Sequence, residues 1–223
     1  MADRHFPITT GYFYHIFNRG VAKQPTFLSK KDYEQAILAL SYYRFKNVPI
    51  KLSRFKELSF EERNKLMSRL EENDESLVKI ISFVLMPNHF HLLLQQSQDR
   101  GIATFIAKFS NSYTKYFNTK QARIGPIFQG VYKAVLVETN EQLIHLSRYI
   151  HLNPVVSLVI NERSLFTYPW SSLPIFLNPQ PSFVYYNPVM EHFANSRNYE
   201  IFLRDQVDYG RQLEQIKHLL WED

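Results

Sequence analysis

The fold is decided by residues 77–95, "LVKIISFVLMPNHFHLLLQ". Residues 77–86 are almost continuously apolar, which predicts a strand covered on both faces and therefore central in a sheet. Pro87 and Asn88 mark a turn. Residues 89–95 read as the next strand, and so short a link makes the two an antiparallel hairpin. Side chains on a strand alternate between faces. Phe90, Leu92 and Leu94 therefore point one way, toward helices, while His89 and His91 share the other face, roughly 7 Å apart. One face is core, and the two imidazoles point out of it together.

Working outward, "GYFYHIFNRG" (11–20) is a first strand ending at a glycine. Residues 30–46 carry Tyr33, Ile37 and Leu40 at helical spacing behind Ser29, a candidate N-cap. Residues 47–76 are highly charged with a thin stripe of Phe60, Leu66 and Leu70, and read as an insertion, a surface helix or a loop. Residues 101–118 form a helix with an aromatic stripe, and 131–138 a fourth strand. Residues 139–153 are a further helix, capped by Thr139 or Asn140 and expected to end near Pro154. The order β-α-β-β-α-β followed by a helix predicts an α+β, ferredoxin-like split βαβ fold, an antiparallel sheet with helices on one face. The last helix is left to close or flank the other face. A catalytic domain over 1–155, containing the 47–76 insertion, is followed by a proline-rich and then helical C-terminal extension, 156–223, expected to pack on it.

The chain has 223 residues, 45% hydrophobic, enough to bury a core. Its net charge of +5 mildly favours a polyanionic partner. There is no cysteine, which excludes disulfides and thiolate metal sites and fits a reducing compartment. The N-terminus has no apolar signal region, and no apolar run is long enough to span a bilayer, so a cytoplasmic protein with no membrane partner is expected.

Two imidazoles on one strand face can converge on a divalent ion, or can be hydrogen-bonded structural histidines. Without cysteine the other ligands must be oxygen or nitrogen, which suits Mg²⁺ or Mn²⁺ beside a phosphate and also admits Zn²⁺. A phosphodiester so polarised needs a nucleophile, and tyrosine is the option to weigh. Tyr149 is best placed, with Asn153 four residues on and so on the same helix face. The alternative for Tyr149 is packing with Leu146 and Ile150. Tyr132, at the start of the fourth strand, is the rival nucleophile. Tyr113 and Tyr116 fall in a helix stripe and read as core.

"MPNHFHLLL" (86–94) resembles the His–hydrophobic–His motif of HUH single-strand DNA transposases with one catalytic tyrosine. "SRYIHLNPV" (147–155) resembles the tyrosine motif of the REP-associated tyrosine transposases in that group. "YHIFNRG" (14–20), "FQGVYKAVLV" (128–137) and "YPWSS" (168–172) are further matches, in the same order. The resemblance implies His89 and His91 as metal ligands, with Mg²⁺ or Mn²⁺ as cofactor and no ATP. It implies Tyr149 as the nucleophile forming a 5′-phosphotyrosine link and releasing a 3′-hydroxyl. A third ligand is supplied four residues after the tyrosine, often glutamine in relatives; here it is the shorter Asn153 beside Pro154. The implied partner is single-stranded DNA beside a hairpin. Relatives are monomers or homodimers, some with the tyrosine helix serving the partner subunit's site.

Arg19, Lys23, Lys115, Lys120, Arg123, Lys133 and Arg148 are candidate DNA-phosphate contacts, each alternatively a solvated surface charge. Two other functions compete with the transposase reading. One is a domesticated DNA- or RNA-binding protein that keeps the fold without catalysis. The other is a metal hydrolase of small substrates, which leaves the tyrosine and the basic balance unexplained.

Overall fold

The computed structural model describes residues 7–205 apart from residue 74. Chain order runs β1 (Phe13–Arg19), α1 (Lys30–Tyr43), α2 (Leu52–Glu57), α3 (Phe60–Glu72), β2 (Val78–Met86), β3 (His89–Gln96), α4 (Gly101–Lys120), β4 (Lys133–Val137) and α5 (Asn140–Val156). The strands form one antiparallel sheet in the order β2-β3-β1-β4. This is the split βαβ fold expected from the sequence. Its consequence for function is that β3 and β1, not β2, occupy the centre.

Two helical layers sandwich the sheet. α1 and α4 pack together on one side, where Phe90 of β3 meets Phe109 of α4 edge-on at 5.4 Å. α5 covers the other side, against β2 and β3. The histidine face of β3 is therefore not directed out of the core. Leu93, which shares that face, is fully buried.

β2 is an outer strand of the sheet, contrary to the central position its apolar run suggested. Its burial comes from the chain after α5, which covers its free edge. Leu85 N–H donates to Trp170 O at 2.8 Å, Ser172 N–H to Phe83 O at 3.0 Å, and Tyr185 N–H to Ile80 O at 2.8 Å. "YPWSS" is thus a clamp on an edge that would otherwise offer unpaired backbone groups. That later chain forms a 3-10 segment (Glu162–Thr167), α6 (Leu173–Leu177), α7 (Asn187–Met190) and α8 (Ser196–Arg204). The helix expected over 209–222 lies outside the described residues.

Three local expectations change. α5 does not stop before Pro154 but runs through it to Val156. The proline removes one helical donor, yet Asn153 O still accepts from Ser157 N–H at 2.9 Å and Pro154 O from Val159 N–H at 2.9 Å. The loss falls in the last turn, where it disturbs least. The 47–76 insertion is two helices. α3 starts at a Ser59–Glu62 capping box and buries Leu70, while Phe60 is exposed. Ser29 precedes α1 but its hydroxyl does not cap the helix. It donates instead to Asp32 Oδ2 at 3.0 Å, which also accepts Leu28 N–H at 3.0 Å. Among the described residues, no helix is long and apolar enough to cross a membrane.

α5 is fixed by a buried polar chain. Ser147 Oγ lies 2.8 Å from Ile144 O and 3.0 Å from Tyr199 Oη; Tyr199 Oη lies 2.8 Å from His151 Nδ1, and His151 Nε2 lies 2.7 Å from Ser172 Oγ. One assignment of protons satisfies every group. Ser147 donates to Ile144, Tyr199 to Ser147, and His151 Nδ1–H to Tyr199, while the Ser172 hydroxyl proton is shared between His151 Nε2 and Phe83 O at 3.3 Å. Burial holds the His151 pKa down to about 3, which keeps the ring neutral as this assignment requires. The chain ties α5 to α8 and, through Ser172, to β2.

The Tyr199→Phe variant removes the central hydroxyl and strands His151 Nδ1 and Ser147. The expected cost is about 1–3 kcal/mol in urea unfolding. Asp32 supplies a pH test. Its buried carboxylate accepts from Lys120 Nζ at 2.6 Å, Tyr116 Oη at 2.9 Å, Ser29 and Leu28 N–H. Burial raises its pKa, but these bonds outweigh it and hold the carboxyl below its ordinary 3.8. The stabilisation is present above the unfolded value and is lost as pH falls through the lower folded one. Asp32→Ala is expected to cost about 3 kcal/mol at neutral pH, with the difference from the parent shrinking below about pH 4 in pH-dependent thermal unfolding.

Candidate active site

The site begins where β1 ends. A Cβ on Gly20 would collide with the Gln24 carbonyl oxygen, so only glycine lets the chain turn back there. The returning loop pins the β2–β3 turn. Gly20 N–H donates to Asn88 O at 2.7 Å, and Thr26 and Phe27 N–H donate to Pro87 O at 2.8 and 3.0 Å. Asn88 Nδ2 donates to Lys23 O at 3.0 Å, which fixes which end of its carboxamide is oxygen. That oxygen sits 2.7 Å from His89 Nδ1. A carboxamide oxygen only accepts, so His89 carries its proton on Nδ1 and leaves Nε2 as a lone pair.

His91 is 7% exposed, and its Nδ1 lies 2.9 Å from Nε2 of His15 on the neighbouring strand β1. The two rings stack at 5.1 Å, and Phe17 stacks on His91 at 5.6 Å. Burial lowers the pKa of His15 to about 4. Burial also takes His89 to about 4, with a bond to Asn153 opposing and the Arg19 charge assisting. His91 is held well below the usual imidazole range by burial and then by His89 and His15. All three rings are therefore neutral at ordinary pH.

α5 lays its face over these rings. Tyr149 meets His91 edge-on at 5.5 Å and His15 at 6.0 Å, and remains 46% exposed. Asn153, one turn later and 5% exposed, lies close enough to His89 to oppose the lowering of its pKa. The tyrosine and both histidines of one site thus come from a single chain. Of the other tyrosines weighed above, Tyr113 and Tyr132 are buried and Tyr116 is half-buried. Tyr113 donates to Thr26 O at 2.6 Å. Tyr116 donates to Asp32, and burial followed by that carboxylate pushes its pKa up to about 12. Tyr132 is 8% exposed.

The basic candidates divide by place. Arg19 pairs with His89 in the strand register, Lys23 accepts from Asn88 through its carbonyl, and Lys133 lies 5.9 Å from the Phe17 ring centre. Arg19 and Lys133 thus lie beside the histidines, and the Lys23 backbone holds the turn that precedes them. Arg148 is engaged with the C-terminal extension, over the Phe202 ring at 4.0 Å and bonded to Phe202 O at 3.3 Å. Arg123 donates to Pro126 O at 3.2 Å in the loop after α4. Lys115 and Lys120 are on α4, in the helical layer across the sheet, with Lys120 paired to Asp32 at 2.6 Å.

Two residues at the site were not singled out from sequence. Asn88 read only as half of a turn signal. His15 did carry a signal: it alternates with Tyr14 and Ile16, whose side chains are buried, and so lies on the opposite face of β1.

A split βαβ sheet with a His-x-His central strand under a tyrosine helix is the architecture of tyrosine transposases, and the comparisons agree. Residues 43–153, which contain His89, His91, Tyr149 and Asn153, match the family model of IS200-like transposases. A solved structure of a REP-associated tyrosine transposase bound to a REP hairpin shares the fold. It gives a TM-score of 0.54 at 13% identity, covering 81% of this chain and 89% of that one. No curated protein matches the chain. The chain belongs to the IS200-like transposase family.

Proposed function

We propose that this protein nicks and rejoins single-stranded DNA through a 5′-phosphotyrosine intermediate on Tyr149, in the course of DNA transposition. The observation that carries this is the placement of Tyr149 edge-on to His91 at 5.5 Å, with Asn153 one turn on along the same helix and close to His89. A nucleophile and three neutral donors on one patch suit phosphoryl transfer better than they suit packing.

The donor set fits a divalent ion. Among the described residues no three His, Cys, Asp or Glu side chains cluster for a metal, and the donors nearest the tyrosine are His89, His91 and the Asn153 carboxamide oxygen, which would hold it. The two imidazoles are neutral and offer lone pairs, and nitrogen–oxygen donors suit Mg²⁺ or Mn²⁺ that share phosphate oxygens with a substrate. Such an ion supplies Lewis-acid polarisation of the scissile phosphate when bound.

The protein's own residues do the rest. Tyr149 Oη bonds to phosphorus as the bond from phosphorus to the 3′ oxygen breaks. The phenolic proton passes through solvent to the departing 3′ oxygen, which leaves as a hydroxyl. Attack by a 3′-hydroxyl on the phosphotyrosine reverses the step and joins strands without ATP. Arg19 and Lys133, beside the histidines, and Lys23 hold the phosphates of the entering strand. His15 positions His91: by accepting its Nδ1–H, it would leave Nε2 as the lone pair able to hold such an ion. Because Tyr149 sits over its own chain's histidines, one chain suffices for cleavage. The hairpin in the related structure suggests that the strand cut here also lies beside a hairpin.

Tyr149→Phe is expected to abolish the covalent protein–DNA adduct on denaturing gels with Mn²⁺ and a hairpin-flanked single strand, while DNA affinity stays within about twofold, since the phenyl ring keeps its packing. An adduct of undiminished yield from this variant sinks the assignment. Adduct formation by no variant, parent included, would favour a binding protein that has kept the fold. His15→Phe keeps His89 and His91 but removes the hydrogen-bond partner of His91. Mn²⁺ affinity, read by calorimetry, is expected to fall about 10–100-fold.

A further inference from the structure

A second basic surface lies across the sheet from Tyr149. α2, in the charged insertion, and the outer face of α4 enclose a groove of about 650 Å³. Five lysines line it: Lys51 and Lys56 on the α2 side, and Lys108, Lys115 and Lys120 along α4. Lys108 and Lys115 stand seven residues apart on α4, roughly 10 Å along the axis. The cations are therefore spread along a line and face a second wall of cations. Asn111 and Ser112, also lining the groove, add uncharged hydrogen-bonding groups between them.

The charge is largely uncompensated. Among the described residues, the only carboxylate within ion-pair reach of the five is Asp32, on Lys120. Lys56 and Lys108 instead donate to neutral oxygens, Gln35 Oε1 at 2.7 Å and Lys46 O at 2.6 Å. Folding has gathered five like charges round a concavity, which costs Coulomb energy that an anionic ligand would relieve. A linear double row of ammonium groups with hydroxyl and carboxamide groups between them matches the repeating phosphates of a nucleic-acid backbone.

We infer that the α2–α4 groove is a second DNA-contact surface, which binds the phosphodiester backbone of the bound DNA away from the cleavage site. The inference rests on the DNA-processing reading above. It gives the insertion a role: α2 supplies one wall of the groove.

The test uses the full chain and a labelled DNA hairpin with a single-stranded flank, its affinity measured by anisotropy over a salt series. Lys51→Gln/Lys56→Gln is expected to weaken binding several-fold and to reduce the slope of log affinity against log salt by about 2, one unit for each lost phosphate contact. Lys51→Arg/Lys56→Arg is expected to restore the slope, and circular dichroism checks that both variants are folded. A slope in the glutamine variant equal to the parent's overturns the groove assignment. So does lysine-dependent binding of a free nucleoside triphosphate with an unchanged DNA slope. Absence of salt-dependent DNA binding by the parent itself instead removes the reading on which the inference stands.

Discussion

Everything at this site depends on β3 being a central strand with both faces covered. A central strand pairs its backbone on two sides, so its side chains cannot drift by one residue without exchanging faces. Phe90 and Leu92 are committed to α4 and the core beneath it, and that commitment fixes His91 and Leu93 on the α5 side. The imidazoles are placed by the apolar residues between them. β1 does the same from the next position in the sheet, where Tyr14 and Ile16 are buried and His15 is left facing His91.

Placing a helix over such a face is a separate problem, because α5 must be held in rotation as well as in position. The His151 chain answers it. His151 lies two residues from both Tyr149 and Asn153, on a different side of the helix, and is bonded at both ring nitrogens. Through Ser172 it is tied to the clamp on β2, whose partner strand carries His89 and His91. Tyr149 and the two histidines are therefore linked by a continuous set of buried bonds and strand pairs. The tyrosine can stay partly exposed without being loose.

Much of this was legible in the sequence, for physical reasons. Period-two alternation in residues 89–95 and the stripe of 101–118 reported the faces of β3 and α4, because burial writes itself into residue type. What was not legible was what covers a given surface. The apolar run of 77–86 signals burial and cannot say whether a strand neighbour or the 168–185 segment supplies it, so β2 read as central when it lies at the sheet edge. Pro154 read as a stop, since local sterics do not report that the lost bond falls in a helix's last turn. The support from Asn88 was hidden because the contact that orients it, Lys23 O, is distant in the chain, and alternation placed His15 on the right face without showing that it meets His91 across 76 residues of chain. The tyrosines of α4 and α5 sort themselves by the same rule, with Tyr113 and Tyr116 hydrogen-bonded to inner groups and Tyr149 left 46% exposed.

The neutrality of the site bears on how it would work. His89, His91 and Asn153 bring no charge, and burial keeps both imidazoles from acquiring one. A divalent ion held by neutral donors alone leaves two positive charges uncompensated in a partly desolvated place. On the proposed reading the balancing anion is the scissile phosphate, so donors and substrate complete each other's charge. A carboxylate in place of Asn153 would compensate the ion in advance and weaken its pull on the phosphate oxygens. The basic groups at the rim fit the same reading: Arg19 lies close enough to disfavour a proton on His89, and its charge would attract the strand that brings the phosphate. On that reading the site would be electrostatically incomplete until DNA arrives.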